Sequence, residues 1–103
     1  MNEHQGKIWR KMISTLEQYL LNEINYQAAV DNLEGLLKAG EFTDKELIKS
    51  WYYYWGPLEI LNAVKGDKVK LDEAEKKVLR MRLFLIEEQK KFKITSLWFC
   101  LPI

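Results

Sequence analysis

The sequence predicts an all-α fold: a small antiparallel bundle of about four helices, in one domain covering residues 1–103. Three observations carry this reading. Apolar residues recur every three or four positions through most of the chain, and the alternating runs that mark strands are missing. Helix-start residues stand at Asn25, Thr43 and Asp72, with glycines at 40 and 66 near expected ends. Two Pro and five Gly leave only short links, so successive helices must fold back on one another.

The first pattern covers about residues 7–22. Ile8, Trp9, Met12, Ile13, Leu16, Tyr19 and Leu20 fill one face, while Lys7, Arg10, Lys11, Glu17 and Gln18 take the other. The second covers about 26–39, with Asn25 as N-cap and Tyr26, Ala29, Val30, Leu33 and Leu37 as its inner stripe. Gly40 then stands where a left-handed residue commonly ends a helix.

The third pattern opens at Thr43, which with Glu46 reads as a capping box. It contains "WYYYWGP", residues 51–57. Proline has no N–H to donate and crowds the preceding turn, so a kink or break is expected at Gly56-Pro57, with Pro57 opening a second segment. The fourth pattern opens at Asp72, paired with Glu75 as a second capping box, and runs to about Phe92. It is apolar on two sides: Ala74, Val78, Met81, Leu85 and Phe92 on one, Leu79, Leu83 and Ile86 on the other. The remaining "ITSLWFCLPI" either prolongs this helix or forms an apolar C-terminal arm.

The aromatic block raises the functional question. At about 100° per residue, Leu47, Trp51, Tyr54, Trp55, Leu58 and Leu61 cluster on one side, which reads as core. Tyr53, Ile60 and Val64 fall opposite, with Tyr52 at a flank. A helix that is apolar on both faces has a second partner, inside the chain or outside it.

Composition narrows the function classes. Lys+Arg 16 against Asp+Glu 15 gives a net charge of +1, so no global field draws the chain to nucleic acid or an anionic membrane. The single cysteine, Cys100, excludes an internal disulfide and fits a cytoplasmic, reducing setting. One histidine, His4, in a polar terminus expected to fray, gives no zinc-ligand spacing and no nucleophile–base pair with Ser14, Thr15, Ser50, Ser96 or Cys100. The opening "MNEHQGK" has no apolar run of the kind a secretory signal needs, and no stretch is long and apolar enough to span a bilayer. No Gly-rich phosphate loop occurs, and no cofactor is implied.

The reading that follows is a small protein-interaction module rather than an enzyme, binding another protein or itself, with a homodimer expected. Short helical regulators, immunity proteins and antitoxins work this way, although no motif ties the chain to any of them. Tyr53, Ile60, Leu83, Trp98 and Phe99 are the expected contact residues, because tyrosine and tryptophan often dominate such surfaces. Trp98 and Phe99 carry roughly 300–500 Å² between them, which favours docking of the arm in cis or across a dimer.

Two alternatives stand beside it. An aromatic pocket at Trp51, Trp55 and Glu59 would hold a small molecule or support catalysis. A helix-turn-helix drawn over residues 33–55 would read nucleic acid, but its reader helix opens with the mixed charges Asp44, Lys45, Glu46 and Lys49. The cluster Lys90–Lys93 is accounted for by the negative C-terminal end of a helix. Cys100, fourth from the end, has the outline of a prenylation signal, which Pro102 fits poorly.

Overall fold

The computed structural model describes the backbone of residues 1–100 and the side chains of residues 1–92. Four helices follow in order: α1 (Glu3–Leu20), α2 (Tyr26–Ala39), α3 (Lys45–Lys65) and α4 (Leu71–Cys100), with a short 3-10 turn at Gly66–Lys68. Contacts set every neighbouring pair antiparallel. Tyr19 meets Tyr26 near one end of α1 and α2, and Gln5 reaches Gly40 at the other. Tyr26 meets Leu58 and Val30 meets Trp55, so α3 runs back along α2. Tyr54 stacks on Phe84 and Lys65 pairs with Glu73. Trp9 meets Leu85 and Glu17 meets Arg82, which closes α4 onto α1.

The core is one cluster. Ile8, Trp9, Met12, Leu16, Val30, Leu33, Trp51, Leu58, Val78, Met81 and Leu85 are buried in it. These are the inner stripes of all four helices, which is what an amphipathic pattern requires when each helix shares one interior.

Several helix ends differ from the sequence expectation. α1 starts at Glu3 rather than near residue 7, because Asn2 and Gln5 form a capping box: Gln5 N donates to Asn2 Oδ1 at 2.8 Å and Asn2 N donates to Gln5 Oε1 at 3.1 Å. Gln5 Nε2 also donates to Gly40 O at 2.9 Å, and His4 Nε2 lies 3.3 Å from Ala39 O. These bonds tie this end to the end of α2, against the expectation of a free terminus. α3 is capped by Asp44, not Thr43, since the Asp44 carboxylate accepts from the amides of Glu46 and Leu47. In α4, Asp72 and Glu73 lie inside the first turn, which begins at Leu71, so Asp72 complements the helix dipole instead of capping it. Gly40 is right-handed (φ −76°), and the left-handed residue is Glu41 (φ 50°). Gly40 is a glycine because the Phe42 ring occupies the space a Cβ would need. Gly66, by contrast, does take a positive φ (56°) and ends α3 as expected.

α3 passes through Pro57 as one helix, and no new segment starts there. The carbonyl deprived of its helical donor is that of Tyr53, four residues back. Tyr53 and Pro57 are both exposed, so water can reach that carbonyl, while Trp51, Trp55 and Leu58 anchor both halves in the core. α4 carries helical backbone to Cys100, so the first part of the expected arm prolongs the helix; the side chains of Trp98 and Phe99 and residues 101–103 lie outside the described residues.

Two predictions follow from this packing. Replacing Pro57 by Ala restores the missing helical bond and should stabilise the chain by about 2 kcal/mol, after the entropy that proline removes from the unfolded state is deducted; thermal melts read this, and a lowered melting temperature contradicts it. Burial raises the phenol pKa of Tyr19 and of Tyr26, the latter also through Tyr19. A raised folded-state pKa leaves stability intact below the unfolded value of about 10 and removes it as pH rises further. Urea midpoints should hold to about pH 9 and then fall. Tyr26→Phe, which deletes the bond to Leu58, should cost about 1 kcal/mol at pH 7 and soften the alkaline fall. An identical alkaline fall in wild type and variant contradicts the assignment.

Candidate protein interface

The five consecutive aromatics divide between core and surface. Trp51 is fully enclosed (0% exposed), stacks on Trp55 with centroids 5.5 Å apart, and directs its ring N–H at Met12 Sδ, 3.4 Å away. Trp55 is buried and donates to Val30 O at 3.2 Å. Tyr54 is half-buried against Phe84. Tyr53, next along the chain, is 67% exposed, and Tyr52 packs edge-on against both tryptophans at the rim.

Tyr53 does not stand alone. Ile60 (67% exposed) and Val64 (75%) share its outward face, and exposed Pro57 completes a series at i, i+4, i+7 and i+11. This is the spacing with which one helix presents a continuous apolar seam to another. Among the described residues, α4 borders it through Lys77 and Arg80 but does not cover it. α3 leans on α2 through Trp55 and on α4 through Tyr54, which leaves the side bearing Tyr53 and Ile60 outside.

Beside the seam, Tyr53, Tyr54 and Pro57 form one wall of a groove of about 150 Å³, whose other wall is Lys77 and Arg80 of α4. Both cations are exposed, and no ion pair among the described residues engages either. The acid one turn before Lys77, Glu73, is held by Lys65 at 2.6 Å, and that bond lowers its pKa.

Of the five expected contact residues, the structure brings Tyr53 and Ile60 together. Leu83 is exposed but sits elsewhere: on α4, Lys77, Arg80 and Phe84 turn to α3, and the 100° step puts Leu79, Leu83 and Ile86 on the side toward α1. Trp98 and Phe99 have no described side chains. Pro57, Lys77 and Arg80 were missed. Pro57 reads in sequence as a helix breaker, and nothing along the chain places residues 77 and 80 next to residue 53.

The pocket expected at Trp51, Trp55 and Glu59 does not assemble. Both tryptophans spend their rings and ring N–H groups on the core, and Glu59 lies exposed. α2 and α3 touch at two levels along their lengths, whereas helix-turn-helix pairs cross at about 90–120°. A second cleft, about 490 Å³ and wide open, lies between α1 and α2, lined by residues that include Ser14, Thr15, Asp31 and Asn32. The Thr15 hydroxyl is already committed to Lys11 O at 2.8 Å. Among the described residues no cluster of His, Cys, Asp and Glu could hold a metal ion, and no helix is long and apolar enough to cross a membrane. No protein-family model, curated protein or solved structure matches the chain.

Because Tyr53 and Ile60 are largely exposed, and Tyr53 has only an edge-on ring contact with its neighbour Tyr54, the double substitution Tyr53→Ser/Ile60→Ser should leave stability within about 0.5 kcal/mol per site. Trp55→Ala, two residues from Tyr53, should cost about 3–5 kcal/mol. Chemical denaturation of the three proteins reads both. Comparable losses at the two places would mean that the seam is packed.

Proposed function

We propose that this chain is a cytoplasmic protein-interaction module that docks another polypeptide on the outer face of α3. One observation carries the reading: Tyr53, Pro57, Ile60 and Val64 form a helical-period apolar seam that the described residues leave exposed. A soluble chain gains nothing from exposing such a series, and burying it against a partner recovers about 25 cal/mol for each Å² removed from water. Tyrosine also suits the role, because it contributes wide contact area with few rotatable bonds and keeps a polar tip. The lone cysteine supports a reducing location. Leu79 and Leu83 offer a smaller second face, on which self-association is the simplest use.

The reading is tested by comparing the wild type with Tyr53→Ser/Ile60→Ser, in dye binding by an apolar fluorophore and in capture from native lysate. The wild type should bind the dye and retain proteins that the variant loses. Equal dye binding and equal capture by the two would reject α3 as the working face.

A further inference from the structure

The flank of the α3 seam carries more information than its apolar part. Lys77 and Arg80 line one groove with Tyr53, Tyr54 and Pro57, are solvent-exposed, and have no acidic partner among the described residues. Several other surface cations, Lys7, Lys11 and Lys45 among them, are likewise in no ion pair among the described residues, so what sets Lys77 and Arg80 apart is their place in the wall of the apolar groove. Two positive charges thus border the exposed apolar residues of α3. Resting on the interface reading above, we infer that the occupant is an amphipathic helix of another protein whose apolar face is edged by carboxylates.

The spacing selects a helix. Positions 53, 57, 60 and 64 repeat with the period at which a second helix lays down its own apolar positions, and the groove of about 150 Å³ admits one apolar side chain between Tyr53 and the two cations. The charges then select the partner. A carboxylate one turn from that anchor lies within reach of Lys77 or Arg80, and arginine can hold it with two parallel bonds. A second copy of this chain docked antiparallel is a poorer occupant. An antiparallel two-fold pairing of the α3 faces keeps the α4 flank on the same side in both copies, so Lys77 and Arg80 of one would approach those of the other.

The test uses two labelled synthetic helices of 18 residues, each with leucine at i, i+4, i+7 and i+11. One has glutamate on both flanks and the other lysine. Fluorescence anisotropy against the full chain should show the glutamate helix binding roughly three- to tenfold tighter, a preference that shrinks with added salt. Lys77→Glu/Arg80→Glu should reverse the preference, and Tyr53→Ser/Ile60→Ser should weaken both helices. Equal affinity for the two helices, lost in the serine variant, would retain the α3 interface and overturn the acidic partner. No binding of either helix would overturn the inference. Dimerisation of the chain abolished by the serine substitutions would overturn it in favour of a second copy.

Discussion

The bundle is held in register by aromatic side chains that donate hydrogen bonds across helix boundaries. Trp9 Nε1 donates to Leu85 O at 2.7 Å, Tyr26 OH to Leu58 O at 2.7 Å, and Trp55 Nε1 to Val30 O at 3.2 Å. Each acceptor is a carbonyl inside a helix. Its first lone pair serves the helical bond and its second is free for the ring. A buried indole or phenol without such a partner is costly, and a neighbouring helix can offer a carbonyl only at particular heights. The three bonds thus tie α1 to α4, and α2 to α3 twice, at fixed levels. Apolar contact alone would allow each pair to slide by a turn.

This constraint sorts the surface as well. With Trp51 and Trp55 fixed against Met12 and Val30, the rotation of α3 about its axis is set, and everything on its far side is committed to solvent. Tyr53, Ile60 and Val64 are exposed for that reason. The same rotation carries Pro57 outward, where the carbonyl it orphans can meet water and a proline inside a helix is tolerable. An apolar, helix-shaped seam is thus a consequence of how the core is anchored. The proposed use of the seam adds a partner to a surface that the core already dictates.

Much of the fold was legible in the chain, because helical periodicity is strong wherever both faces differ. α2 matches its expected span, with Asn25 capping it through Ala28 N. The 100° step also put both tryptophans of WYYYW and Tyr54 on the core side and Tyr53 opposite, but it left open whether another helix of the chain covers Tyr53; in the structure Tyr53 is exposed and Tyr54 half-buried. What sequence could not supply depends on tertiary partners. Gln5 is an unremarkable polar residue until Gly40 O stands 2.9 Å away. Thr43 and Asp44 are both good N-caps, and the structure gives the role to Asp44, which accepts from the amides of Glu46 and Leu47. The groove is the clearest case, since Lys77 and Arg80 reach Tyr53 through the antiparallel packing of α3 and α4 and through no local pattern. Conversely, the pocket at Trp51, Trp55 and Glu59 looked coherent in sequence. It failed because tertiary contacts consumed both rings.

The most direct measurement of whether α3 is oriented in this way is hydroxyl-radical footprinting of the dilute chain, read residue by residue by mass spectrometry. Tyr53 should oxidise at nearly the rate of a free tyrosine, Tyr52 more slowly, and Trp51 and Trp55 hardly at all, despite the higher intrinsic reactivity of the indole ring. Rapid oxidation of either tryptophan, or protection of Tyr53 in a chain shown to be monomeric, would contradict the orientation on which both the core and the proposed interface depend.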